Sequence, residues 1–138
     1  MAQKRMFSLS VIDTDLFMEM PATSRLLYYE LGMRADDDGF VANWKRIMRM
    51  AGLSEDDMKI LVSKDFVIPF QSGVIVIRHW RLNNYIRNDR HTPTVYQKEL
   101  AQLSLDNEIY SLKSAENSTM LPSGIPDDNQ TVDERYTK

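Results

Sequence analysis

Apolar residues along this chain follow two periods, and the switch between them sets the expected architecture. Between Pro21 and about Ala35 they fall at helical spacing, with Leu26, Leu27 and Leu31 accompanied by Tyr28 and Tyr29. Pro21 stands where proline is favoured, at a helix start. Ahead of it, Ser10 or Asp13 is placed to cap a short helix over Leu16, Phe17 and Met20. Asp36-Asp37-Asp38-Gly39 stops the longer helix, and Gly39-Phe40-Val41 reads as a short strand. Trp44, Ile47, Met48 and Ala51 then lie at i, i+3, i+4 and i+7, with Asn43 as cap candidate and Gly52 as the stop. Ser54 caps the next helix, whose apolar stripe is Met58, Leu61 and Val62. Its first turn carries Glu55, Asp56 and Asp57, which suit the positive end of a helix dipole, and Glu55 and Lys59 form an i,i+4 pair.

After Lys64 the period shortens. Two apolar runs at about 66–70 and 74–80 flank Gln71-Ser72-Gly73, a hairpin pattern. Pro69 cannot donate to a ladder, so the first run is expected at a sheet edge or ending near that residue. From Thr94 a weaker helical pattern returns through Tyr96, Leu100 and Leu103, to about Leu112. Beyond Ser114 large apolar residues are few and the acids are scattered, a composition expected to be disordered. The fold class this predicts is α+β, mostly α: a winged helix-turn-helix with a β-hairpin wing, followed by a C-terminal extension. The expected organisation is a winged-helix domain over 4–93, a helical extension over 94–113, and a disordered tail or linker over 114–138.

Composition narrows the function classes. The 138 residues have the hydrophobic and charged content of a globular chain, and there is no cysteine. Disulfides and thiolate metal sites are therefore excluded. The longest strictly aliphatic run, Val74–Ile77, is far short of a membrane span, and the N-terminal residues lack the sustained apolar stretch of a signal peptide. The net charge of −3 hides an asymmetry: residues 1–100 carry 14 Lys and Arg against 13 Asp and Glu, residues 101–138 carry 3 against 7. Between 78 and 91 four arginines face one aspartate, a local field that suits a polyanion.

Two groups of cations are candidates for that contact. Lys45, Arg46 and Arg49 share the polar face of the helix that begins near Trp44. They fit either phosphate contact or a solvated face. Arg81, Asn84, Tyr85, Arg87 and Arg90, with Asn83 and Asn88 among them, form the second group. Arginines fork onto phosphates, amides read base edges, and a tyrosine stacks on a base. The bland alternative is a structural crossing that packs Tyr85 and Ile86 and leaves the arginines solvated. Against simple DNA reading, the end of the second helix that would enter the major groove is Glu55-Asp56-Asp57, and the wing tip is uncharged.

Other chemistry has little support. Aligning Gly39 with the glycine of a calcium loop puts Arg34 and Lys45 at ligand positions, so the aspartate run reads as a solvated turn bonding local backbone. His79 and His91, the two histidines, have no zinc spacing, and His79 reads as a packed residue. No phosphate-binding loop, dinucleotide fingerprint or nucleophile elbow occurs, so neither an enzyme nor a cofactor is expected.

The stretches MRADDDGFVANWKRIMRMAG and SEDDMKILVSKDFVIPFQSGVIVIRHWRLNNYIRNDRHTPTVYQKE resemble the N-terminal domain of phage replisome organisers. These are replication-initiation proteins of phages and prophages of low-GC Gram-positive bacteria, related in fold to DnaD-type primosome proteins. The likeness covers about residues 4–100 and is most specific around 36–40 and 79–96. It implies a winged helix acting in phage DNA replication in the cytoplasm of the host cell. The partners it implies are DNA of an origin region, single-stranded DNA included, and replisome proteins such as the helicase or its loader. In DnaD-type relatives the winged helix also self-associates, so a homo-oligomer is expected, and a separate C-terminal part contributes DNA binding. A protein-only interaction scaffold and a phage transcription regulator are the rival readings.

Overall fold

A computed structural model of the protein describes residues 4–113. Those residues form an α+β fold with seven helices and two small antiparallel sheets. Two single-turn helices, α1 (Leu9–Ile12) and α2 (Asp15–Met18), precede α3 (Ala22–Arg34). Their caps are Ser8 and Thr14, whose hydroxyls accept from Ser10 N–H and Phe17 N–H. Ser10 and Asp13, the expected caps, therefore do not hold those positions. Pro21 stands directly before α3, as its spacing predicts.

Strand β1 (Phe40–Val41), helices α4 (Trp44–Met50) and α5 (Glu55–Ser63), and strands β2 (Val67–Pro69) and β3 (Ile75–Ile77) follow in that order. The sheet order is β1-β3-β2, all antiparallel, with Val41 opposite Ile75 and Ile68 opposite Val76. Pro69 ends an edge strand, where its missing N–H leaves no ladder bond unmade.

Both helices of the central pair end in the same way. Gly52, at φ +76°, sends its N–H to Arg49 C=O while Leu53 N–H reaches Met48 C=O. At the end of α5, Asp65 at φ 66° donates to Val62 C=O and Phe66 N–H reaches Leu61 C=O. This paired closure needs a left-handed residue after the cap, which glycine adopts freely and aspartate at some cost. Asp65→Gly should raise the thermal midpoint by about 2–5 °C in a calorimetric scan. An unchanged or lower midpoint would mean that the flexibility glycine adds to the unfolded chain dominates.

The core gathers between α3, α5 and the sheet. Phe17, Tyr28 and Phe66 meet edge to face at centroid distances of 5.3–5.7 Å. Leu27, Leu31, Leu61, Val76 and Ile77 are wholly enclosed. Burial pushes the Tyr28 hydroxyl up to about 12, only partly opposed by the hydrogen bond from the Asn83 amide.

Two expectations change downstream of β3. The strand does not reach Trp80, which instead opens α6 (Trp80–Asn83). The helical extension over 94–113 is only one turn, α7 (Gln97–Leu100); it is followed by a hairpin of β4 (Leu103–Asp106) and β5 (Ile109–Leu112). Leu103 fits the helical spacing but is buried, with Tyr110, from the strands of this hairpin, which is tied to the residue after β3 by the bond from Tyr110 N–H to Arg78 C=O. The two-residue turn Asn107-Glu108 has positive φ at both positions, the conformation that hairpin twist requires. The tail expected over 114–138 lies outside the described residues. No helix among those described is long and apolar enough to cross a membrane.

Candidate nucleic-acid interface

The loop after α3 is an internal hub rather than a solvated turn. Asp36 Oδ1 does bond local backbone, accepting from Asp38 N–H and Phe40 N–H. Asp37 and Asp38, however, are buried. Asp37 Oδ1 lies 3.2 Å from the Arg5 guanidinium, with the two side chains 0% and 3% exposed. That oxygen receives no aligned hydrogen bond, so the contact is one of charge. Arg5 also donates to Ala35 C=O and lies over the Trp80 ring.

The segment 84–96 is strapped across this loop at both ends. At the far end, Thr92 N–H donates to Asp37, Thr94 N–H to Asp38 and the Thr94 hydroxyl to Asp36, at 2.6–3.0 Å. His91 Nε2 lies 2.8 Å from Asp38 Oδ1. At the near end, the Asn84 amide both accepts from and donates to the backbone of Met6, and Asn83 accepts from Ser8 N–H. Trp80 Nε1–H and the Tyr110 hydroxyl close the hub from below, on Asp37 C=O and Asp38 C=O.

The expected base-reading amides are thereby corrected. Asn83 and Asn84 are buried, and their hydrogen-bonding capacity goes to the N-terminal segment and Tyr28. Asn88 remains exposed. Tyr85 is not packed on the domain as the bland reading has it: it is 80% exposed. The arginines of the segment are partly neutralised, since Arg87 pairs with Asp89 at 3.1 Å and Arg81 lies 3.9 Å from Glu108. Exposed pairs of this kind contribute little to stability but they lower the local positive field. Arg90 is exposed and has no ion pair among the described residues.

Comparison with protein-family models, with curated proteins and with solved structures finds no match to this chain.

Helix α4 presents the cleaner cationic surface. Trp44, Ile47 and Met48 turn inward, while Lys45, Arg46 and Arg49 lie on the outer face and make no ion pair among the described residues. Lys45 Nζ lies over the Trp44 ring at 5.5 Å, and Trp44 Nε1–H donates to Gly73 C=O at the hairpin tip. The tip is held from the other side as well, where the Ser72 hydroxyl donates to Glu99. A tip bonded on both sides and uncharged is poorly suited to enter a groove.

The start of α5 is equally committed. Glu55 and Asp56 are exposed acids. Burial would raise the Asp57 carboxyl, but hydrogen bonds from Thr23, from Ser54 backbone and hydroxyl, and from Ser24 together hold it below its ordinary value. The bonds from Thr23 and Ser24 fasten α5 to α3. His79 is half-buried against Phe66, as its position in an apolar run implies, and burial with the nearby Arg78 pushes its imidazole down to about 4. Among the described residues no group of three His, Asp or Glu is disposed to hold a metal ion.

Sequence reasoning missed Arg5, Asp37, Asp38 and Glu108 as residues that shape this surface. The unbroken aspartate run was the available signal, since three adjacent carboxylates in one short loop repel unless something compensates them.

Proposed function

We propose that this chain is a non-enzymatic winged-helix module of phage DNA replication initiation, which holds DNA by its phosphates and assembles with replisome proteins such as a helicase or its loader. The carrying observation is the run α3-β1-α4-α5-β2-β3 on a β1-β3-β2 sheet, with an outward cationic face on α4. In helix-turn-helix docking the first helix of the pair crosses the DNA backbone while the second enters the major groove. Here α4 carries Lys45, Arg46 and Arg49, and α5 begins with acids. Backbone contact without base reading by α5 fits both facts. The replication setting rests on the resemblance carried by residues 36–40 and 79–96.

A titration of the full chain with duplex and single-stranded DNA, from low to moderate salt, tests the reading. Binding is expected to weaken steeply with salt, and Lys45/Arg46/Arg49→Ala should flatten the log–log slope by about 2–3 for duplex DNA, near one for each phosphate no longer neutralised. No binding at the lowest salt would sink the DNA role. The second reading, an interaction scaffold that meets only protein, is favoured by the exposed Glu55 and Asp56 and the clamped neutral tip. It predicts that failure together with self-association in a sedimentation series.

A further inference from the structure

Between the strap and the β4–β5 turn lies a hollow of about 360 Å3, with the Asp37–Asp38 loop as its floor. That volume falls within the range of small-ligand clefts. Leu82 and Ile86 supply apolar wall, and Tyr85, Asn88, Arg81 and Glu108 stand around it. We infer that this hollow takes one unstacked base bearing an exocyclic amino group, presented by a single strand of DNA. The inference deepens the DNA-binding reading above and rests on it.

Three observations carry it. The first is the Tyr85 ring, 80% exposed on a backbone that is anything but loose. Its neighbour Asn84 is fixed by two bonds to Met6, and the strap is fastened again at His91, Thr92 and Thr94. An exposed aromatic ring carried beside a hollow by a fastened backbone segment is a stacking platform for which the fold has already met the backbone part of the ordering cost.

The second is the sign of the charge. A phosphate in the hollow would meet the carboxylates of Asp37, Asp38 and Glu108, whereas an amino N–H is a donor and suits a carboxylate. Asp37 and Asp38 are already engaged by Arg5, Thr92, His91 and Thr94. Glu108 is not: its contact with Arg81 is 3.9 Å, too long for a hydrogen bond, and Arg81, though it also reaches the Tyr110 side chain, has five N–H donors to share. A guanidinium donor beside a carboxylate acceptor matches the keto-and-amino edge of cytosine, and thymine lacks the amino half of that pattern. Phosphates on either side of the flipped base then have Arg87 and Arg90 within the same segment.

The third is where the acceptor sits. Glu108 occupies φ 67°, a turn position that glycine fills without strain. A glutamate there gains nothing for the turn, and its side chain reaches the hollow.

The test compares four strands of equal length with the full chain: oligo-dC, oligo-dT, oligo-dA and an abasic strand with the same number of phosphates. Anisotropy at one fixed salt should rank dC and dA about tenfold tighter than dT, with the abasic strand weakest. Glu108→Gly relieves the turn, so loss of fold is not its expected result. It should erase the dC-over-dT preference and leave the salt slope unchanged, and Tyr85→Ala should bring every strand down to the abasic level. Equal binding of all four strands would overturn the base pocket and leave phosphate contact through α4 standing. A preference that survives both substitutions would also overturn it, since it would arise elsewhere. If none of the four strands binds while duplex DNA does, the pocket is overturned and phosphate contact through α4 stands; if duplex DNA fails as well, the DNA-binding reading falls with it.

Discussion

Asp37→Ala is expected to destabilise the protein by about 3–5 kcal/mol, a large fraction of the stability of a domain this size. The reason is what the substitution leaves behind. The Arg5 guanidinium, 3% exposed, would keep its charge in a site from which water is excluded, without the carboxylate 3.2 Å away. Thr92 N–H would lose its acceptor at the same time, loosening one end of the strap. The companion variant Arg5→Met with Asp37→Leu removes both charges together and should recover much of the loss, because the guanidinium then leaves with the carboxylate it faces. Urea denaturation of the two variants and the parent measures this directly. A cost below about 1 kcal/mol for Asp37→Ala would mean that the Arg5 charge is compensated without Asp37 and that the ion pair is not what organises the loop.

Gly39→Ala should be nearly as damaging, at about 2–4 kcal/mol, for two reasons that act together. Gly39 sits at φ +93°, where an L side chain is strained. A Cβ built there would also stand 2.6 Å from Trp80 Cγ and 2.7 Å from Trp80 Cβ. Trp80 has little freedom to retreat, because it is 1% exposed and its Nε1–H is bonded to Asp37 C=O. Gly73→Ala is the control. That residue has φ +95° but nothing within 4 Å of the added carbon, so only the conformational cost of about 1 kcal/mol applies. Equal losses for the two variants, measured by chemical denaturation, would remove the packing part of the explanation.

The two destabilising sites share a lesson about what a linear reading can see. Asp36-Asp37-Asp38-Gly39 reads as a turn, and its first aspartate and its glycine behave as turn residues do. The other two aspartates read as solvated because nothing near them in sequence compensates their charge. Their partners lie elsewhere: Arg5 upstream, and His91, Thr92 and Thr94 more than fifty residues downstream. Two amides that read as base contacts turn inward for the same reason. Asn83 and Asn84 bond the chain around Ser8 and Met6, 75 and 78 residues away.

What the amino-acid sequence determined by itself is the set of local decisions. Pro21 marks the start of α3, Gly52 and Ser54 the junction of α4 and α5, Pro69 the edge strand, and the period of the apolar positions which face of α4 is buried. Each follows from interactions within a few residues: a fixed φ, a capped N–H, a carbonyl closed by a left-handed residue. Tertiary structure alone decided which polar groups are spent inside and which remain outside. It turned an aspartate run into an anchor, buried two asparagines, exposed Tyr85, and folded 103–112 as a hairpin where the spacing reads as helix. Burial, charge compensation and strand pairing depend on residues that meet only after the chain has closed long loops, and no local period encodes which of them will meet.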